Sequence, residues 1–222
     1  MTSEILKQIY DVLFERFGPQ HWWPGETPFE ITVGAILTQN TNWANVEKAI
    51  ANLKAADLLD CRKLQRLAQE DLAGLIRPAG YYNIKARRLK AFVKWLWENN
   101  HGDLAQLEHI PTARLREQLL AIRGIGKETA DSILLYALNR PIFVVDAYTA
   151  RIATRHGLVE PEADYDQLQD LFQSNLPEDV QLFNEYHALL VRLGKEFCRP
   201  RPRCAGCPLE ALPHSADLAD YY

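Results

Sequence analysis

The sequence predicts an all-α fold, on three observations. Apolar residues recur at three- and four-residue spacing along most of the chain. No stretch of useful length alternates apolar with polar as a strand would, and Pro and Gly interrupt the pattern at short intervals. About ten short helices joined by tight turns follow from this, with no substantial sheet. At 222 residues the chain can bury its core as one large domain or as two small helical lobes.

Taken in order, Ile5-Ile9-Val12-Leu13 marks a first helix, which ends at Gly18-Pro19. After Pro24-Gly25 come Ile31-Ala35-Ile36 and Val46-Ile50-Leu53, two further helical stripes. Pro78 to Gly80 breaks the chain before Leu89-Phe92-Val93-Leu96, and Gly102 closes that helix. Leu115, Leu119 and Ile122 share one face of the next, and Ala130, Ile133, Leu134, Ala137 and Leu138 share one face of the helix after it. Between those two lies Arg123-Gly124-Ile125-Gly126. Pro141 then opens the short apolar run Ile142-Phe143-Val144-Val145, which leads to Asp146 at the start of another helix. Breaks follow at Gly157 to Pro161, at Pro177 and in the Pro200 to Pro208 tail, with no internal repeat.

The opening MTSEILKQIY lacks the basic-then-apolar pattern of a signal peptide, and no apolar stretch approaches membrane-spanning length. The expectation is a cytoplasmic, monomeric protein with no membrane partner. Cys198, Cys204 and Cys207 crowd the C-terminus, which in a reducing compartment favours metal ligation over disulfides, whereas Cys61 reads as an ordinary helical cysteine. A formal charge of −4 counts against a nucleic-acid partner, but it is an average over opposed regions. From Arg77 to Lys94 the ionised side chains are all basic (Arg77, Lys85, Arg87, Arg88, Lys90, Lys94), and from Gly157 to Val191 they are all acidic. The first region suits phosphates, and its bland alternative is a solvated helix face.

Glycines on both sides of Ile125 let the backbone turn sharply and approach a ligand closely, and the following helix begins with unpaired N–H groups. Such a terminus is an anion site, to which Lys127 adds a positive charge. The alternative is a tight connection between two core helices. Asp146 has two compatible roles. It can cap its helix, and the amides that fix a capping carboxylate also keep it ionised. An ionised carboxylate can stabilise an oxocarbenium-like sugar or activate a water as an N-glycosidic bond breaks.

The Gly-Ile-Gly turn between amphipathic helices resembles the helix-hairpin-helix motif of DNA repair enzymes, which grips a DNA backbone through main-chain amides. The order of hairpin, Gly/Pro-rich turn and Val-Val-Asp resembles the Gly/Pro-Asp signature of the endonuclease III superfamily. PFEITVGAILTQNT and GYYNIKARRL are similar to two further helices of that family. The resemblance implies two helical lobes with DNA in the cleft between them, a flipped-out target nucleotide and a C-terminal Cys-rich metal loop. The lobes are expected at 23–140, holding the hairpin at 111–140, and at 1–22 plus 141–222, holding Asp146 and the loop at 198–214. The resemblance makes Asp146 the catalytic acid and Gln39 the filler of the gap left by the flipped base, for which the alternative is a buried, satisfied glutamine. It puts Gly124, Gly126, Lys127, Asn83 and Lys85 among the DNA contacts.

Three departures refine this. Lyase-competent members carry a hairpin lysine where this chain has Glu128. Lys127 cannot replace it, because one residue along a helix turns the side chain by about 100°. A monofunctional glycosylase acting on damaged double-stranded DNA is therefore expected. HWWP followed by ILTQNTNW resembles the 3-methyladenine branch, so Trp22, Trp23 and Trp43 are expected to form a base pocket that favours cationic alkylated bases by cation–π attraction, unless they are ordinary core. Cys198, Cys204 and Cys207 follow C-x5-C-x2-C, one residue shorter than the family's cluster spacing, with Pro213 in place of the fourth cysteine. His214 is the nearest fourth ligand. A structural 4Fe-4S cluster is the first expectation and zinc the second, with Arg199, Arg201 and Arg203 of the loop touching phosphate. Two alternatives stay open: an endonuclease III-like glycosylase for oxidised or mismatched bases, and a non-catalytic DNA-binding iron–sulfur module.

Overall fold

The computed structural model describes residues 2–216. All regular structure among them is helical, and none of their helices is long and apolar enough to cross a membrane. The chain divides into two compact units, Trp23–Arg140 and Met1–Trp22 with Pro141–Tyr222.

The first unit is built round α2 (Pro28–Leu37). Thr27 caps it by accepting from Glu30 N at 3.1 Å, and Pro28 presets the first turn. Thr32 through Leu37 are all buried, so beyond its first turn this helix has no solvent face and lies at the centre of its unit. Against it pack α3 (Trp43–Ala55) and α6 (Tyr82–Asn100), the latter through Leu89, Phe92, Val93 and Leu96, none of them exposed. α4 (Cys61–Arg66) and α5 (Gln69–Leu75) cover the other side of α6. Cys61 is buried, 3.9 Å from Val93 O.

The hairpin helices are α7 (Thr112–Leu120) and α8 (Lys127–Ser132), locked together by Arg116, whose guanidinium holds both oxygens of the unexposed Asp131 at 2.7 and 2.9 Å. The spacing of Ala130 to Leu138 predicts one regular amphipathic helix, and here the structure differs. Ile133–Ala137 forms a wider π-turn, closed by Leu138 N to Ile133 O at 3.1 Å. Leu135 and Tyr136 are thereby buried along with Ile133, Leu134 and Ala137, so the segment is apolar all round.

The second unit packs α1 (Thr2–Phe17) and α9 (Ala147–Arg155) on α11 (Val180–Glu196). The buried face of α1 is Leu6, Ile9 and Leu13, with the expected Ile5 and Val12 at its margin. Tyr186 of α11 reaches α1 by donating its hydroxyl to Leu6 O at 2.8 Å. Gly194 brings α9 and α11 into close approach, since a Cβ there would stand 2.3 Å from the Tyr148 ring.

The run before Asp146 is held by α10 (Tyr165–Gln173), from the middle of the acidic region. Phe143 stacks on Phe172 with centroids 4.0 Å apart and planes 2° from parallel. Gln173 accepts from Phe143 N at 2.8 Å, and Gln169 donates to Phe143 O at 2.7 Å. An extended segment without a sheet needs such side-chain partners for its backbone. Two of the region's acids, Asp164 and Asp179, cap α10 and α11.

Candidate functional site

Asp146 is the N-cap of α9, with Oδ1 accepting from Thr149 N at 2.7 Å. Its Oδ2 lies 3.6 Å from His187 Nε2 on α11, and both side chains are nearly buried. Burial alone pushes the carboxyl upward. The His187 imidazole and the Thr149 N–H outweigh it, and the net direction is below the ordinary value of 3.8. Asp146 is thus a fixed carboxylate, ionised at neutral pH, with little water round it. Burial and this carboxylate together raise the phenol of neighbouring Tyr148, although Arg151, lying 5.4 Å over its ring, opposes them.

His187 is absent from the sequence-based site. Its one signal is its place beside Phe183, Tyr186 and Leu190 on the buried stripe of α11, where an ionisable ring needs a polar partner.

In the other unit the hairpin has the geometry of a close backbone approach. Gly124 takes φ +93°, and a Cβ on it would lie 2.4 Å from Arg88 Cγ, so no other residue fits without displacing that arginine. Ile125 is buried and anchors the turn, while Gly126, the N-cap of α8, faces open space. Lys127 and Glu128 occupy the first turn of α8, the former half-buried and the latter exposed.

Gln39 is tied to this hairpin. Its Nε2 donates to Gly124 O at 3.1 Å and to Thr129 Oγ1 at 2.8 Å, and its Oε1 accepts from Arg88. Asn83 is exposed in the first turn of α6.

Lys85 corrects the sequence-based reading. It is 1% exposed, and its ammonium donates to Leu37 O at 2.8 Å and Ala79 O at 2.7 Å, carbonyls at the ends of α2 and of the 3-10 turn Arg77–Ala79. It holds two helix termini and does not face a phosphate. Burial, with Arg88 nearby, lowers it to about 8.

Of the three tryptophans, Trp23 and Trp43 come together edge to face, with centroids 5.3 Å apart, and Tyr136 lies 5.2 Å from Trp23. Gly34 lets both indoles close on α2, a Cβ there standing 3.1 Å from Trp23 Nε1 and 3.4 Å from the Trp43 ring. Both indoles are half-buried. Trp22, also half-buried, belongs to the other unit.

Cys198, Cys204, Cys207 and His214 line one small pocket. The loop above it is pinned from α9. Arg151 donates to Cys198 O at 2.7 Å, and the buried Arg155 donates to Arg199 O at 2.6 Å, to Pro200 O at 3.0 Å and to Cys198 Sγ at 3.5 Å. Burial and the neighbouring Cys198 and Cys204 push the Cys207 thiol up. Among the described residues no three His, Cys, Asp or Glu side chains close into the spacing of a single-ion site. The three thiols that line the shared pocket are the donor type an iron–sulfur cluster takes. Arg199, Arg201 and Arg203 are all exposed.

A family model described as HhH-GPD superfamily base excision DNA repair protein matches residues 33–178. A protein of Methanocaldococcus jannaschii assigned by name to the DNA repair glycosylases is 50% identical over 209 residues, 93% of this chain and 94% of that one. Endonuclease III of Thermotoga maritima is 29% identical over 212 residues, 95% of this chain and 91% of its own. Among solved structures, the 3-methyladenine DNA glycosylase of H. pylori, bound to 1,N6-ethenoadenine, superposes with a TM-score of 0.75 at 32% identity, covering 88% of this chain and 97% of its own.

Proposed function

This chain belongs to the HhH-GPD superfamily and is a base excision DNA repair glycosylase; we propose that it hydrolyses the N-glycosidic bond of alkylated purines of the 3-methyladenine kind, leaving an abasic site. The observation that carries the reaction is Asp146, a desolvated carboxylate held ionised by His187 and the Thr149 N–H. Breaking the bond builds positive charge on the sugar, and a preorganised negative charge in a water-poor setting stabilises that state most effectively. A cationic alkylated base leaves without strong nucleophilic assistance, which agrees with Glu128 standing where lyase-competent relatives carry lysine.

The half-buried pair Trp23 and Trp43 supports recognition of such a base, since electron-rich rings attract a cation by about 1–2 kcal/mol. The likeness to the H. pylori enzyme supports the same substrate class. The amide-rich turn at Gly124 and Gly126, with Lys127, serves as a clamp on one DNA backbone, and Gln39, Asn83 and the loop arginines Arg199, Arg201 and Arg203 extend the contact. Cys198, Cys204, Cys207 and His214 would hold a 4Fe-4S cluster, with zinc as the second choice. When bound, the group cross-links the loop and performs no chemistry on the base.

The test is to incubate the protein with duplex DNA carrying 3-methyladenine, scoring base release separately from strand breakage before and after alkali. Base release with breakage only after alkali is expected. Breakage without alkali refutes the monofunctional assignment. Release of oxidised pyrimidines, with none of the alkylated base, moves the substrate to the class handled by endonuclease III.

A further inference from the structure

Beside the hairpin, on the Trp23–Arg140 unit, lies a cavity of about 600 Å³ that the reaction above does not use. Its wall comprises one face of α6 (Ile84, Arg87, Arg88, Ala91, Lys94), the 65–69 connection, and Arg123 with Gly124 of the hairpin; no carboxylate lines it. Its cations are not equivalent. Lys90 is committed to the carbonyls of Leu64, Gln65 and Leu67, each at 2.8 Å, and Arg88 to Gln39. Lys94 has Glu98 one turn away at 3.8 Å. Arg87 and Arg123 are exposed and, among the described residues, have no side-chain hydrogen-bond or ion-pair partner.

Two unpaired arginines across a carboxylate-free cavity make a local positive field in a chain whose net charge is −4. A guanidinium fork matches the paired oxygens of a phosphate. Gly124 belongs both to this wall and to the turn proposed to grip DNA, so a strand held at the hairpin lies beside the cavity.

We propose that the cavity is a second phosphate site, in which Arg87 and Arg123 hold the DNA backbone in the duplex flanking the lesion. The inference rests on the DNA glycosylase reading and adds to it a contact outside the hairpin. The site is indifferent to the damaged base and sensitive to the length of the flank. It also supplies cations that the Arg77 to Lys94 run does not offer uniformly, because Lys85 is buried and both Lys85 and Lys90 commit their ammonium groups to backbone carbonyls.

The test measures binding of the full chain to duplexes with a central abasic-site analogue, over a salt series and with flanks shortened from either end. Arg87→Gln and Arg123→Gln are compared with Lys48→Gln, an exposed cation of α3 outside the cavity. Each cavity variant is expected to bind roughly eightfold more weakly at 0.1 M salt and to flatten the slope of log K against log salt by about 0.9. Both differences should vanish on the duplex whose flank is too short to reach, and Lys48→Gln should match the wild type. Unchanged slopes in the cavity variants overturn the proposal, as does an equal loss in Lys48→Gln or a loss independent of flank length. Wild-type protein that binds these duplexes but releases no base from companion duplexes of the same length carrying alkylated or oxidised bases defeats the glycosylase reading, while the salt slopes still decide the cavity.

Discussion

Capping and catalysis at Asp146 can be separated by two substitutions. The cap is the Oδ1 bond to Thr149 N at 2.7 Å. Asparagine presents an equivalent oxygen and ranks with aspartate as an N-cap, so Asp146→Asn should keep the bond; it loses the attraction to His187 but also the desolvation cost of a buried carboxylate, two opposed effects that leave the net change small. Asp146→Ala removes the acceptor as well and should cost a further 0.5–2 kcal/mol or so. The reaction responds differently, because both variants lose the negative charge. Losing one preorganised electrostatic partner costs about 2.7–4 kcal/mol, or roughly 10²–10³ in rate. Single-turnover base release should therefore fall alike in the two variants, while urea unfolding ranks wild type and Asn close together and Ala below them. Asp146→Asn with a rate within threefold of wild type, beside a crippled Asp146→Ala, would refute the argument and leave Asp146 as a cap alone. Unchanged base release in both would remove Asp146 from the reaction altogether. The acid side follows from the depressed carboxyl. Its contribution to stability is complete above the ordinary value of 3.8 and is lost as pH falls through the lower folded value. Lowering the pH from 7 to 5 should accordingly leave Asp146 ionised.

Four further outcomes follow from the geometry. His187→Ala removes the largest downward influence on Asp146 while burial's upward push remains; the acid limb of the base-release profile should move to higher pH, and an unmoved limb in a less stable protein means that His187 only packs. For Lys85, the fall from 10.5 to about 8, at 1.36 kcal/mol per pH unit, means that keeping its charge in the fold costs about 3 kcal/mol at neutral pH. The unfolded chain holds that proton more tightly between pH 8 and 10.5, so wild-type stability should rise relative to Lys85→Met across that window and run parallel to it below 8; parallel curves throughout would show that the amine carries no burial penalty. Trp43→Ala should lower excision of alkylated bases roughly 5- to 30-fold more than it lowers binding to abasic DNA, and equal losses would make the pair structural. Protein purified without oxygen should be coloured and contain iron, with metal removal loosening the 198–214 loop first; a colourless, zinc-containing protein moves the assignment to zinc.

How far the sequence discloses all this depends on the range of the interaction. Helices and caps are local, so the period of the apolar residues and the Gly-Ile-Gly turn announce them, and Asp146 is conspicuous because five residues after Pro141 the apolar run stops at an acid. Lys85 was legible too, but only through the stripe it shares. Positions 85, 89, 92, 93 and 96 fall on one face of α6, so a lysine there points inward with Leu89 and Phe92, whereas Arg87 and Lys94 fall off that face. Reading the basic run by composition treats the three alike; reading it by period divides them into a buried clamp and exposed arms. No such local rule places His187 beside Asp146. The pair forms because Gly194, seven residues farther along α11, lets Tyr148 press α9 close to that helix. Gly194→Ala should push these helices apart and weaken the His187 contact without altering either member of the pair, raising the acid limit of activity as His187→Ala does. If the variant folds and keeps the wild-type profile, the close approach at Gly194 does not govern the carboxylate.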